Sequence, residues 1–277
     1  MNEPTALFDR KAYQLARGYL PNLGIPGVTD ALIEKYLIPD ACQPSTMTEL
    51  YQRMLEHAQN ANMKSGVIGK AIGGVGNLAV VLEGFDPAKV LASYGEDEKA
   101  VLNAIETTVK PNGQMRRTTR SLWPQYCRTI LSAARFCNQF KTTHEFYDFV
   151  SFFVGDERAR ASLPMLLSKE IHGFGFALAC DFLKELGYVS FPKPDVHLRH
   201  IFTALHLCAN EADDYDVFKA IIRVAGHAGA TPYAVDKTFW LIGSGFFYRN
   251  RDTIGKDGKI GSHKDDFIAY AKMQLSD

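Results

Sequence analysis

The chain has 277 residues, of which 46% are hydrophobic and 22% charged, with 31 Lys and Arg against 31 Asp and Glu. That length can bury a substantial core in one large domain or in two ordinary lobes. No apolar run approaches the roughly 18 residues of a membrane span, and a formal net charge of zero gives the molecule as a whole no field that would select a polyanion.

The N-terminal stretch MNEPTALFDRKAYQLARGYL carries acidic residues and a helical pattern where a secretory leader would have a basic flank and an apolar core, so a cytoplasmic location is expected. TMTELYQRMLEHAQNA opens on a Thr-x-x-Glu cap and places Leu50, Met54 and Leu55 on one helix face. VIGKAIGGVGN has a Gly-Lys but not the spacing of a phosphate loop. Between Glu106 and Glu145 lie Lys110, Arg116, Arg117, Arg120, Arg128, Arg135 and Lys141 with no carboxylate, which reads either as a solvated face or as a surface for nucleic acid. KPNGQMRRTTR within it is predicted to be an exposed basic loop.

SLWPQYCRTILSAARFCNQF, HEFYDFVSFFV, FALACDFLKELG, DVHLRHIFTALHLCA, DYDVFKAIIRVAGHAG, TPYAVDKTFWLIGSGF and KDDFIAYAKMQL then repeat the helical period, broken by Gly, Pro and polar turns. Alternating strands are nearly absent. The expected fold class is all-α, roughly a dozen helices joined by short loops. Residues 1–277 form one unit with two lobes in this reading, 45–190 as the central lobe and 1–44 with 191–277 as the other, and a cleft between them. YRNRDTIGKDGKIGSHK near the C-terminus is expected to be weakly structured. Cys42, Cys127, Cys137, Cys180 and Cys208 are widely spaced with no C-x-x-C pair, so buried free thiols are expected. Gly243-Ser244-Gly245 lacks the spacing and the preceding strand of a hydrolase elbow.

The segment SLPMLLSKEIHGFGFALACDFLKELG reads as helix, hairpin, helix. Gly173 and Gly175 permit positive φ and close approach of another backbone, and the amides of Gly173, Gly175 and Ala177 would face outward at the start of helix 176–187 as a seat for phosphate. Phe174 would plug the two helices together. An ordinary αα-corner with a Gly stop explains the glycines equally well. Downstream, YVSFPKP leads into Asp195, which opens the next helix as an N-cap, as a functional carboxylate, or as both.

Ile171, Gly173, Phe174, Gly175, Pro192, Pro194 and Asp195 together resemble the helix-hairpin-helix DNA glycosylase superfamily over about thirty residues, and Asp-Val-His at 195–197 is similar to its 8-oxoguanine branch. LEGFDPAKVLASYGEDEKAVLNAI, LWPQYCRTILSAARF and TPYAVDKTFWLIGSG resemble other helices of the superfamily more loosely, the first two those of its type I 3-methyladenine members. The resemblance implies a DNA glycosylase in which Asp195 stabilises the cationic sugar and orients water. Ala177 stands where relatives that also cleave the strand carry a nucleophilic Lys, so a monofunctional enzyme leaving an abasic site is implied, with Lys184 or Lys193 as displaced substitutes in a lyase alternative. Neither the iron-sulfur cysteines nor the zinc ligands of certain relatives are present, so no cofactor is expected beyond a monovalent cation at the hairpin.

The implied partner is double-stranded DNA with a flipped modified base, bound by a monomer associated with the nucleoid. DNA contacts are expected from Gly173, Phe174, Gly175, Ala177, His197, Arg116, Arg117 and Arg120. Gln59 or Asn60 is the candidate wedge, and Trp123, Tyr126, Trp240 and Phe174 the candidate base-stacking rings, although aromatics at helical spacing also fill cores. An alkylated purine is favoured as substrate, with a hypermodified base of foreign DNA as the other class. Two rival readings are a non-catalytic helix-hairpin-helix DNA-binding protein and a metal-dependent hydrolase using Asp195, His197 and His200.

Overall fold

The structure, a computed structural model, describes residues 3–59 and 67–276. The chain is all-helical: fifteen α-helices are present among the described residues, and pairing between extended segments is limited there to isolated bridges at Phe246, Lys256 and Lys259. Local chemistry sets the helix starts. Thr46 and Glu49 form the capping box expected from Thr-x-x-Glu, Asp213 and Asp216 form another, and Thr29, Asp86, Asp97 and Thr231 each accept a first-turn amide. No helix among the described residues is long and apolar enough to cross a membrane.

The chain divides into two compact units, Cys42–Phe182 and Met1–Ala41 with Leu183–Asp277. In the first, the Leu122–Cys137 helix is the hub. Eleven of its sixteen residues are buried, as befits a helix covered on most of its circumference. Met47–Ala58, Pro87–Tyr94 and Glu98–Ala104 pack around it. Two phenols crossing this core find carbonyl acceptors: Tyr51 Oη donates to Ile130 O at 2.9 Å and Tyr126 Oη to Leu55 O at 3.0 Å.

In the second unit, Pro232–Ser244 packs against Val196–Ala204 and Asp214–Ala228, while Glu3–Tyr19 lies along Asp214–Ala228 and Lys264–Leu275. Phe239 meets Phe202 and Phe267 with ring centroids 5.0 and 6.0 Å apart. Buried Asp9 accepts from Arg223 at 2.8 Å and pairs with His227 at 2.6 Å. The C-terminal segment expected to be weakly structured is instead folded down. Phe247 N donates to Gly258 O at 2.7 Å and Ile260 N to Gly245 O at 2.9 Å, and Phe247 and Ile254 are buried. Its glycines, which read as breakers in the sequence, are what allow so tight a turn.

All five thiols are free. Cys127, Cys137 and Cys180 are buried as expected, and burial pushes the Cys127 thiol up to about 12, but Cys42 is exposed and Cys208 half-buried.

Candidate functional site

The hairpin is built on the hub helix of its unit. Ser162–Glu170 ends at Ile171, which is fully buried, Gly173 turns the chain at φ +82°, and Phe176–Glu185 begins after Gly175. Gly175, which the sequence allows a positive φ, does not adopt one, and a Cβ there would meet nothing within 4 Å. The tight turn is therefore the work of Gly173 alone, and Gly175 leaves open space in front of the helix start. Phe174 is the expected plug: it is 2% exposed and stands edge-on to Phe182 at 5.9 Å, so it faces the core and no base. The amides of Gly173, Gly175 and Ala177 donate to no group among the described residues. Amides without an intrahelical acceptor are usual just before and within the first turn of a helix, here the ten-residue Phe176–Glu185.

The residues that fasten this hairpin were missed in the sequence. Thr129 Oγ1 donates to His172 O at 2.7 Å, Ser132 Oγ accepts from His172 N at 2.9 Å, and Gln125 Oε1 lies 2.5 Å from His172 Nε2. Burial, with the nearby Arg128 charge, lowers the His172 pKa. The signal was present as polar residues at 125, 129 and 132, one stripe along a helix whose remaining residues are apolar except Arg128 and Arg135.

Asp195 caps Val196–Ala204. Its Oδ1 accepts from the amides of His197 at 2.9 Å and Leu198 at 3.1 Å, while Oδ2 accepts no hydrogen bond among the described residues. Burial and then the charge of Asp236 raise the Asp195 pKa above the ordinary carboxylate range, and the Leu198 amide, His197 and Lys193 oppose that rise. His197 lies against Gly243: a Cβ on that glycine would stand 2.6 Å from the His197 Cβ. Behind the loop, the buried Lys184 ammonium meets Asp236 at 3.0 Å. Lys184, an alternative lyase nucleophile by sequence, is thus held as an ion pair. The signal for Asp236 was an acidic residue inside the apolar helix PYAVDKTFWLIG.

Several other expected site residues have structural duties. Tyr126 is 3% exposed with its hydroxyl bonded to Leu55, so it belongs to the core and not to a base pocket. Trp123 is buried beside it at 6.5 Å. Trp240 is half-buried and forms, with Tyr233 and Tyr248, an aromatic cage around Lys237 Nζ, whose centroid distances are 5.3, 5.6 and 4.9 Å. Gln59 turns inward, its Oε1 accepting the Gly69 amide at 3.0 Å, and Asn60 lies outside the described residues. His200 faces Asp265 at 3.4 Å.

Three of the seven basic residues of this segment are paired with carboxylates that precede it. Arg117 pairs with Glu106 and donates to Asn103 at 2.9 Å, Arg128 lies 3.5 Å from Glu98, and Arg135 lies 3.4 Å from Glu96. Arg116 and Arg120 have no ion pair among the described residues and line an open cavity of about 410 Å³ with Asn112, Gln114, Thr118 and Trp123.

No family model and no curated protein matches the chain. Among solved structures it is similar to a Methanocaldococcus jannaschii 8-oxoguanine glycosylase/lyase in complex with a 15mer DNA containing 8-oxoguanine, at 13% identity and a TM-score of 0.48, over 85% of this chain and 96% of that one.

Proposed function

We propose that the chain is a DNA glycosylase that hydrolyses the bond between a modified base and deoxyribose and leaves an abasic site. The observation that carries this reading is the state of Asp195, a half-buried carboxylate with one oxygen anchored to two helix amides and the other accepting no hydrogen bond among the described residues. Breaking an N-glycosyl bond builds positive charge on the sugar, and a fixed carboxylate in a weakly screened site stabilises that charge with little reorganisation. The three outward amides of the 173–177 hairpin supply the grip on a DNA phosphate. His197, Arg116 and Arg120 add further backbone contacts, and double-stranded DNA with a flipped base is the partner. Ala177 offers no nucleophile, which favours water as the attacking group.

Base excision on end-labelled duplexes bearing alkylated, oxidised, deaminated and hypermodified bases, with and without alkali, tests this directly. Alkali-dependent breaks are expected with the wild-type chain and none with Asp195→Asn. Breaks without alkali would point to a lyase. A second reading, a non-catalytic DNA-binding module, is favoured by the cap bonds of Asp195, which account for a residue there without chemistry. It requires that no base be released while both proteins bind DNA equally.

A further inference from the structure

The buried Lys184–Asp236 pair has no role in the chemistry assigned to Asp195, yet its hydrogen bonds lead to that residue. Asp236 lies in Pro232–Ser244 with a side chain 1% exposed, and Lys184 in the last turn of Phe176–Glu185 with a side chain 4% exposed. Oδ2 of Asp236 accepts from Lys184 Nζ at 3.0 Å and from the backbone amide of Lys193 at 2.8 Å. The carbonyl of Lys193 in turn accepts the amide of Asp195 at 2.9 Å. The turn before Asp195 is therefore gripped by a buried carboxylate, and the Asp195 side chain by the helix start that follows.

We propose that Asp236, held by Lys184, is a positioning residue for Asp195, clamping the 193–195 turn so that the unbonded carboxylate oxygen keeps one direction. The catalytic consequence rests on the glycosylase reading above; the clamp itself rests on the hydrogen bonds.

A buried ion pair is a costly way to hold a loop, because desolvating both charges often cancels their attraction and an apolar pair of similar size serves as well or better. What an apolar pair lacks is a charge beside Asp195. Oδ1 of Asp236 accepts no hydrogen bond among the described residues, so only the Oδ2 side of that carboxylate is compensated there. The groups facing Asp195 are Asp236 from Pro232–Ser244, Lys193 from the loop, and His197 with the Leu198 amide from its own helix. Lys237, next to Asp236 in the chain, turns to Tyr248 at 3.1 Å and to Glu185 at 3.8 Å. Among the described charged neighbours of Asp195, Asp236 opposes its ionisation while His197 and Lys193 favour it. A carboxylate kept in this way is stabilised most when positive charge appears in front of it, which is what glycosyl bond cleavage supplies.

Two variants separate geometry from charge. Asp236→Asn keeps an acceptor for the Lys193 amide and removes the charge. Asp236→Leu combined with Lys184→Met removes both clamp and charge, takes out both partners of the ion pair together, and guards against a single variant that fails to fold. The readouts are a 13C titration of the Asp195 carboxyl, identified by its loss in Asp195→Asn, and the pH profile of excision. In both variants the Asp195 titration and the acid limb of kcat are expected to move to lower pH. The double variant is also expected to lose on the order of 10²-fold in kcat with KM little changed. A folded double variant with wild-type kcat and wild-type Asp195 titration overturns the proposal. If the wild-type chain releases no base, the glycosylase reading fails, and the titration alone decides whether Asp236 acts on Asp195.

Discussion

The basic stretch between Glu106 and Glu145 and the loop around Asp195 treat charge in opposite ways. In the stretch, three of the arginines fold back on Glu96, Glu98 and Glu106, so a segment of one sign along the chain becomes a mixed surface in space. Around Asp195, a half-buried carboxylate feels the charge of a buried one, Asp236, which is itself paired with the Lys184 ammonium. Exposed pairs of the first kind contribute little to stability and are ordinary surface chemistry. Concentrated like charge of the second kind is costly, and folds keep such an arrangement chiefly where chemistry uses it.

Replacing Asp195 tests the second region most sharply. Asp195→Asn is expected to lower excision by at least 10²- to 10³-fold, the usual scale for a single electrostatic stabiliser. The same variant should not destabilise the fold at neutral pH. Asn still accepts the two cap amides, and it removes a carboxylate whose pKa is raised on folding. The sign follows from proton binding. Between the ordinary Asp value and the raised folded one, the native state holds more protons than the unfolded chain, so stability falls as pH rises through that window. Thermal melts should therefore show Asp195→Asn equal to or above wild type at pH 7, with the difference vanishing in acid below the ordinary Asp value. An Asn variant that melts well below wild type at pH 7 would mean that Asp195 is a structural cap first.

Gly243→Ala probes the same region through packing. The new methyl would stand 2.6 Å from the His197 Cβ, an atom fixed to the backbone, so the start of the Val196–Ala204 helix must move. A loss of about 1–3 kcal/mol in denaturant unfolding is expected for such overpacking. Excision should fall further than the lost stability alone explains.

These residues also mark what a sequence can disclose. The all-helical class, the capping box at Thr46 and the plug at Phe174 were legible because each depends on neighbours in sequence: a period, a cap spacing, a turn. Asp236, 41 residues beyond Asp195, and His172, about 40 residues beyond Ser132, act through contacts that no local pattern encodes. Tyr126 and Trp240 looked like pocket rings for the same reason, since helical spacing does not distinguish a ring facing the core from one facing a ligand. The folded 248–264 segment was misjudged because glycine signals a turn without saying what the turn packs against.

The hairpin gives a middle-sized effect that splits its two glycines. Gly173→Ala forces a side chain into φ +82° and is expected to cost about 1–2 kcal/mol. Gly175→Ala meets no neighbour and no positive φ, and should cost roughly 1 kcal/mol or less, as an apolar residue at a helix start does. If DNA phosphate approaches the 173–177 amides, Gly175→Ala nonetheless weakens DNA binding, because its methyl occupies the open space in front of them. Unchanged affinity for a folded Gly175→Ala protein would reduce the hairpin to a corner between helices.

The smallest effects come from the arginines, and they return to the first region. Each phosphate contact releases counterions, so losing one lowers the slope of log affinity against log salt by about 1. Arg116 and Arg120 carry no ion pair among the described residues, and alanine at either should lower both affinity and slope by that step. Arg117 already holds Glu106 and Asn103, so Arg117→Ala should change the slope far less. The stronger form of the test releases Arg117 without removing it. Glu106→Gln leaves an amide in place of the carboxylate, and the freed guanidinium is expected to raise DNA affinity at low salt and to steepen the slope. Equal effects for alanine at 116, 117 and 120 would mean that DNA displaces Glu106 from Arg117, and that the one-sign run in the sequence is restored as a one-sign surface when the partner arrives.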